Sequence, residues 1–394
     1  MRAETTTLGL ADSLERLGTE TAFDVLVRAK ELEREGRDVI HLEVGEPDFP
    51  TPEHICEAAA EAIRAGETRY CPANGIPEFR EAIAAYFTAS RGIEISADRC
   101  LVANGGKPFL FFTILATCNP GDEVVYPDPG FPIYESAITW SGATPVPLPL
   151  LEERDFVFDV SDLAERLNER TKLVILNSPE NPTGGMIGAE ELAQAAQLIA
   201  DTNAWVLSDE IYSQILYDGE FTSIATSPGM LERTVILDGL SKTYAMTGWR
   251  CGFAAVPEPL VDPIVRFFIN STSCVPPFVQ HAGIAALTGP QEPVRAMVDE
   301  FRRRRDLVVE GLNALPGVSC RTPQGAFYVF PNLSGAPLPA PELAGRLLEE
   351  AGVAVVAGTA FGEVGSDNLR LSYANSQENI ERALARMREL LGTL

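Results

Sequence analysis

The chain has 394 residues, of which 45% are hydrophobic and 22% are charged, so it is a globular protein with material for two or three domains. Its net charge of −25 argues against a partner such as nucleic acid or an anionic membrane. The sequence contains no run of 18 or more apolar residues, so it predicts no membrane span. Its first residues lack the apolar segment that is typical of a signal peptide.

The number and spacing of cysteines and histidines bear on the redox state of the thiols and on the presence of a metal site. Seven cysteines are scattered along the chain without a CxxC motif, and the three histidines are isolated from one another. This pattern indicates reduced thiols in a cytoplasmic protein and predicts no metal site.

In chain order, the first elements are an N-terminal helix and a strand at 39–45, which we assign to an N-terminal arm and part of a small domain (1–47). A large domain is predicted at 48–288. From about residue 100 it alternates apolar strand patterns with helical ones. The strands are predicted within 99–106, 122–131, 144–150, 171–179, 204–212, 234–241 and 250–257, and helices at 107–118, 161–170 and 189–203. Continuous apolar strands separated by helices predict an α/β fold whose mostly parallel sheet is covered on both faces.

After residue 288 the pattern changes. Pro290 and Pro293 are expected to break the chain before a long charged helix at 294–315. Short strands at 325–333, 352–358 and 368–374 and an amphipathic helix from about Gln377 follow. These features predict a smaller α+β domain at 289–394.

Lysine is rare in this chain, since only four of the 31 basic residues are lysines: Lys30, Lys107, Lys172 and Lys242. A surface cation can be arginine, but a residue that must act as a free amine cannot, because guanidinium stays protonated. Lys242 directly follows a predicted strand, with Ser241 before it and Arg250 eight positions beyond. Ser241 and Arg250 could bind a phosphate group while the amine of Lys242 attacks a carbonyl. The alternative is that Lys242 is a solvated lysine in a loop.

Other polar or glycine signals also follow predicted strands, where ligands bind in open α/β sheets. Gly105 and Gly106 form a strand-to-helix turn whose amides suit a phosphate, or a tight turn that simply needs glycine. The chain has neither GxGxxG nor a P-loop motif, which disfavours a nicotinamide oxidoreductase. Asp209 ends an apolar strand, so its carboxylate requires an arginine or a protonated heterocycle as partner.

Seven motifs, in this order, resemble the class I/II aminotransferases of fold type I, the aspartate aminotransferase-like enzymes: LEVGEPDFPTP, YCPANGIPEFREAIA, NSPENPTGG, SDEIY, LSKTYAMTGWRCGF, GAFYVFP and NLRLSYA. The resemblance extends from about Ile40 to Tyr373. It implies a large domain with a mostly parallel seven-stranded sheet flanked by helices, a smaller α+β domain, and pyridoxal 5′-phosphate as cofactor.

The resemblance also implies roles for individual residues. Lys242 is expected to bond covalently to the cofactor and to move the substrate's α-proton, and Asp209 to pair with the pyridine nitrogen. The remaining cofactor contacts are expected from the phenolic-oxygen ligands Asn181 and Tyr212, from the stacking ring of Phe131, and from the phosphate ligands Gly105, Gly106, Ser241, Arg250 and the neighbouring subunit's Tyr70. Phe131 as an ordinary core residue and Asn181 as a turn residue are the alternatives.

The expected substrate contacts are fewer. Arg370 is expected to bind the substrate α-carboxylate, with Gly45 and Asn181 beside it, unless Arg370 forms a structural salt bridge. In some relatives a lysine at the position of Lys107, next to the cofactor turn, faces the side-chain carboxylate of acidic substrates. Here it predicts aspartate or glutamate as substrate with 2-oxoglutarate as acceptor, or is merely solvated at a helix start. Aromatic, alanine-type and specialised substrates stay alternatives.

The implied reaction is ping-pong transfer of an amino group between an L-amino acid and a 2-oxo acid, by a homodimer with shared active sites. The same residues also serve C–S β-lyases and oxidative enzymes, which stay alternatives. Ligand-sensing regulators with this fold carry an N-terminal DNA-binding domain. Fewer than 45 residues precede the first fold motif of this sequence, which disfavours that class of protein.

Overall fold

The computed structural model describes residues 9–394. Thirteen strands lie within this range: β1 Ile40–His41, β2 Cys100–Ala103, β3 Glu123–Asp128, β4 Thr144–Leu151, β5 Val157–Phe158, β6 Thr171–Asn177, β7 Trp205–Asp209, β8 Thr234–Gly239, β9 Gly252–Ala255, β10 Tyr328–Val329, β11 Val353–Ala354, β12 Val356–Ala357 and β13 Leu369–Ser372. The α-helices of the same range are α1 Thr21–Arg34, α2 Glu53–Ala65, α3 Pro77–Arg91, α4 Lys107–Thr117, α5 Ile133–Ser141, α6 Val160–Arg166, α7 Ala189–Ala200, α8 Leu240–Thr243, α9 Glu258–Ser271, α10 Pro277–Thr288, α11 Glu292–Asn313, α12 Ala340–Arg346 and α13 Gln377–Thr393.

The central sheet has the strand order β2-β9-β8-β7-β6-β3-β4-β5. Strands β8, β7, β6, β3 and β4 are parallel, whereas β9 is antiparallel to both of its neighbours. The mostly parallel seven-stranded sheet is therefore confirmed, and the two-residue β5 adds an eighth strand at one edge. Strands β3, β6, β7 and β8 are buried throughout their length apart from single half-buried residues, which explains their continuous apolar sequences.

Proline explains why β4 lies near an edge of the sheet. Pro145, Pro147 and Pro149 alternate along this strand and pair with Val124, Tyr126 and Asp128 of β3. A proline cannot donate to a strand ladder, so a strand with proline at every second position cannot be fully hydrogen-bonded on both sides. Only the last two residues of β4 pair with β5.

The start of α11 differs from the sequence expectation. Pro293 does not break the chain but is part of the first turn of α11, which begins at Glu292. The N–H groups of a first helical turn have no acceptor within the helix, so proline costs nothing there, and its fixed φ suits the helix.

Two small sheets lie outside the central sheet. Strand β1 pairs with β11, and β10-β13-β12 form the other sheet. Ile40 and Leu42 belong to the same buried apolar cluster as Phe301 of α11 and Met387 of α13. The N-terminal strand thus packs with the C-terminal third of the chain. No helix among residues 9–394 is long and apolar enough to cross a membrane.

Candidate active site

A cavity of about 550 Å³ lies where β6, β7 and β8 end. The register pairs Asn177, the last residue of β6, with Asp209, the last residue of β7. Eleven of the thirteen residues singled out in the sequence line this cavity: Gly45, Gly106, Lys107, Phe131, Asn181, Asp209, Tyr212, Ser241, Lys242, Arg250 and Arg370.

Lys242 lies in the short helix α8, directly after β8, and its side chain is half-buried. Its Nζ donates a hydrogen bond to the carbonyl oxygen of Gly45 at 2.5 Å. The pKa of the amine is lowered to about 8, mainly by burial and next by the positive charge of Arg370. The neutral, nucleophilic amine is therefore far more accessible near pH 7 than that of an exposed lysine.

Asp209 is buried at the end of β7. Its carboxylate accepts a hydrogen bond from the hydroxyl of Tyr134 at 2.7 Å and one from the Ile211 amide at 3.3 Å. Burial raises its pKa to about 6, and these hydrogen bonds oppose the shift. None of the ion pairs of residues 9–394 includes Asp209, so a protonated ring nitrogen in the cavity would supply the cation that this carboxylate lacks.

The turn after β2 is held close to Arg250. Gly105 has a φ of +92°, and a Cβ built on it would lie 2.2 Å from Nη2 of Arg250. Arg250, itself left-handed with a φ of 55°, donates to the carbonyl oxygens of Thr247 at 2.9 Å and Asn104 at 3.4 Å. A guanidinium beside the N-terminus of α4 suits an anion such as a phosphate group. Gly105 itself does not line the cavity but makes the approach of Arg250 possible.

Arg370 is buried on β13, between the rings of Tyr328 and Phe361, each 4.9 Å from its guanidinium carbon. It donates to the carbonyl oxygen of Glu43 and, at 3.2 Å, to Oδ1 of Asn181, and burial lowers its pKa. Within residues 9–394 its Nε has no hydrogen-bond partner and no carboxylate pairs with it. A buried guanidinium without a counter-ion fits a ligand carboxylate, and the alternative of a structural salt bridge is not realised among these residues.

Two tyrosines that the sequence analysis did not single out, Tyr134 and Tyr328, also line the cavity. Tyr328 shares a hydrogen bond of 2.8 Å with Tyr212, and a Cβ on Gly45 would lie 1.9 Å from its hydroxyl. Tyr134 holds Asp209 as described above. Tyr328 lies in the motif GAFYVFP, which could have indicated it, whereas nothing in the sequence distinguishes Tyr134.

Lys107 and Tyr70 differ from the other residues singled out in the sequence, because Lys107 already has a carboxylate partner and Tyr70 lies outside the cavity. Nζ of Lys107 lies 2.7 Å from Oε1 of Glu20, a cavity residue for which the sequence gave no signal, and 5.7 Å from the centre of the Phe131 ring. Tyr70 is 91% exposed and does not line the cavity of its own subunit.

The fold and this cavity together define the class of pyridoxal-phosphate-dependent enzymes of fold type I. The donor set fits the cofactor, because it combines a lysine amine of lowered pKa, a buried carboxylate with no cationic partner among residues 9–394 and an arginine beside a glycine turn. The model of the family "Aminotransferase class I and II" matches residues 37–387.

Individual relatives agree with this match. An aspartate/prephenate aminotransferase of Cereibacter sphaeroides is 41% identical over 96% of this chain and 97% of its own length. An aspartate aminotransferase of Geobacillus stearothermophilus is 39% identical over 97% and 98%. The structure of an aspartate aminotransferase from Thermus thermophilus with maleate superposes with a TM-score of 0.93 at 39% identity, over 98% of this chain and 100% of that one. The chain belongs to the class I and II aminotransferase family. It is a pyridoxal-phosphate-dependent aminotransferase that moves an amino group between an amino acid and a 2-oxo acid.

Proposed function

We propose that this aminotransferase uses an acidic L-amino acid, aspartate or glutamate, as one substrate and 2-oxoglutarate as acceptor. The observation that carries the assignment is the shared cavity of Lys242 and Arg370, a weakly basic amine and a buried guanidinium without a carboxylate partner among the described residues. The cation of Lys107 in the same cavity and the names of the relatives from Cereibacter and Geobacillus support the acidic side chain.

The substrate is oriented by its α-carboxylate. The guanidinium of Arg370 takes the two carboxylate oxygens in its planar fork, and the Asn181 amide and the Gly45 backbone flank the same group. Tyr328 and Phe361 stack on Arg370 and so fix the plane of its guanidinium. A fixed guanidinium places the substrate α-carbon near Lys242.

The cofactor is held at several points and supplies, when bound, an electron sink for the pair left on the substrate α-carbon. Asp209 holds a proton at the ring nitrogen, and the amide of Asn181 and the hydroxyl of Tyr212 donate to the phenolic oxygen. Phe131 would pack on the ring, whereas Gly106, Ser241 and Arg250 would bind the phosphate. Gly105 would shape the turn that brings Arg250 close, with Lys107 at the edge of the same turn. Lys242 would anchor the cofactor and, as a free amine, would accept the proton that leaves the substrate α-carbon.

The molecule as a whole is proposed to be a cytoplasmic homodimer with shared active sites, in which the partner subunit's Tyr70 reaches the phosphate. The exposure of Tyr70 supports this, as does a second cavity that shares Gly248 and Arg250 with the first. The seven free cysteines support a reducing compartment. The domains are proposed as 48–288 and 289–394, with 1–47 joining the latter. The cluster of Ile40 and Leu42 supports this for the described part of that segment, and residues 1–8 lie outside the described residues.

The experiment that tests the site is Lys242→Ala, compared with Lys172→Ala on a half-buried lysine outside the cavity. The purified wild type and the control are expected to carry the cofactor on Lys242 as a borohydride-reducible adduct, found by peptide mapping, whereas the Lys242→Ala variant carries none. Aspartate is expected to convert the bound cofactor of the wild type to its amine form, followed by visible absorbance. A reduced adduct on another lysine would contradict the role of Lys242. Release of a thiol, pyruvate and ammonia from an S-substituted cysteine, with no conversion of the bound cofactor by aspartate, would assign the chain to the lyases.

A further inference from the structure

The lining of the cavity contains an ion pair from two distant parts of the chain. Glu20 directly precedes α1, and its side chain is 13% exposed. Its Oε1 lies 2.7 Å from Nζ of Lys107, the first residue of α4. Both residues line the cavity, so the cation that would meet an acidic side chain already has a carboxylate partner.

Aromatic rings surround this ion pair. Nζ of Lys107 lies 5.7 Å from the centre of the Phe131 ring and 5.8 Å from that of Phe23, another cavity residue. With Lys107 neutralised by Glu20, this end of the cavity offers apolar ring faces and no net charge. An uncharged apolar or aromatic side chain can pack there without burying an unpaired cation.

The ion pair can also be exchanged cheaply. The Lys107 side chain is 45% exposed and stays solvated when it leaves Glu20, whose own side chain is 13% exposed. Water screens a pair with one exposed partner, which keeps the cost of the exchange low. A substrate carboxylate that approaches Lys107 can therefore take the place of Glu20. A ping-pong enzyme must bind two different side chains in one cavity in turn, and the pair provides a partner for Lys107 in both cases.

We propose that Glu20 is a specificity-determining residue, a built-in counter-ion for Lys107 that lets one cavity accept both acidic and uncharged aromatic amino acids. With an acidic substrate, Lys107 exchanges Glu20 for the substrate's side-chain carboxylate. With an aromatic substrate, Lys107 stays paired with Glu20, and the ring packs against Phe23 and Phe131. The inference rests on the proposed function, because it concerns the side-chain end of that same site.

The test measures half-reactions of the holoenzyme with aspartate and with phenylalanine, as single-turnover kcat/KM from the cofactor absorbance. In Glu20→Gln the kcat/KM for aspartate is expected to rise, because the competing carboxylate is gone, and that for phenylalanine to fall, because Lys107 lacks a partner. From the strength of exposed ion pairs, the ratio of the two constants should change by roughly tenfold. Glu15→Gln, which removes one exposed charge from the same N-terminal segment, is the matched control and should leave the ratio unchanged.

A second variant separates charge from packing. Lys107→Met should abolish the preference for aspartate and also slow phenylalanine, since Glu20 is then unpaired. The double variant Glu20→Gln/Lys107→Met should restore phenylalanine alone. Equal changes for both substrates in Glu20→Gln, or a wild type that converts aspartate but not phenylalanine, would overturn the counter-ion role while leaving the proposed function intact. A wild type that converts neither amino acid, nor glutamate, would instead overturn the proposed function.

Discussion

Burial is the main reason that the pKa of the Lys242 amine falls from its usual 10.5 to about 8, and the charge of Arg370 is the next contribution. The amine is protonated below that pH and neutral above it. Only the neutral amine can attack an aldehyde, so this one side chain should set the pH at which the apoenzyme captures its cofactor.

We therefore expect the rate constant for pyridoxal phosphate capture by apoenzyme to rise between pH 6 and pH 9 with a midpoint near 8, measured by stopped-flow absorbance. Arg370→Gln should move this midpoint to higher pH, because a positive charge near the amine is lost. Arg346→Gln, on an exposed arginine paired with Glu350, should not move it. A midpoint near that of a free lysine would contradict the burial of the amine.

The functional residues that could be predicted were those whose chemistry left few alternatives. The sequence singles out Lys242, Asp209 and Arg370 by their chemistry and by the motifs that contain them, and all three line one cavity. Their roles stay predictions. Tyr134 and Glu20 were missed, because their roles depend on contacts with residues far away in the chain. No local pattern encodes such a contact.

At the scale of elements, a buried network ties α3 to the strands that carry the site. Arg91, the last residue of α3, donates to Glu210 at 2.6 Å and to Asp238 of β8 at 2.5 Å. Glu210 directly follows Asp209, and burial raises the pKa of both Glu210 and Asp238 while Arg91 opposes the shift. The arginine thus opposes the protonation of two buried carboxylates next to the strands that carry the site.

Arg91→Met should lower the free energy of unfolding by about 3–5 kcal/mol, because it leaves two buried carboxylates without their cation. Urea denaturation followed by circular dichroism measures this loss. Arg295→Met, which removes an exposed pair with Glu292, is the comparison and should cost less than about 1 kcal/mol. Equal losses in the two variants would mean that the buried network contributes no more than a surface pair.

The elements themselves were predictable to different degrees. The long strands of the central sheet were found because continuous apolar runs require burial on both faces. The strands predicted at 39–45 and 325–333 shrink to the two-residue β1 and β10. Their apolar residues are buried by packing against α11 and α13 rather than by extended pairing, and an apolar pattern reports burial and not its cause.

At the scale of the whole molecule, the proposed dimer can be tested by complementation between subunits. A Lys242→Ala subunit and a Tyr70→Ala subunit are each impaired, but their mixed dimer contains one site in which the lysine and the partner subunit's Tyr70 are both intact. Random mixing of equal amounts in a two-fold symmetric dimer should therefore restore about a quarter of the wild-type activity. Light scattering should give a mass twice that of the 42.6 kDa chain.

The matched control mixes Lys242→Ala with Arg370→Ala, each of which lies in the cavity of its own subunit. The mixed dimer then has the lysine in one cavity and the arginine in the other, so no activity should return. Absence of recovery in the first mixture would place Tyr70 in its own subunit's site, and recovery in both would mean that the subunits share more than Tyr70.

The wall of the cavity extends along the sequence from Glu20 to Arg370, and only α13 follows as a complete helix. Chains are synthesised from the N-terminus and begin to fold before they are finished. A nascent chain can build the central sheet early, but Arg370, the proposed ligand of the substrate α-carboxylate, is added only when all but the terminal helix has been made. If Arg370 binds the substrate as proposed, substrate recognition is acquired at the very end of synthesis, and a truncated translation product that still folds its sheet should not bind an amino acid as the full chain does.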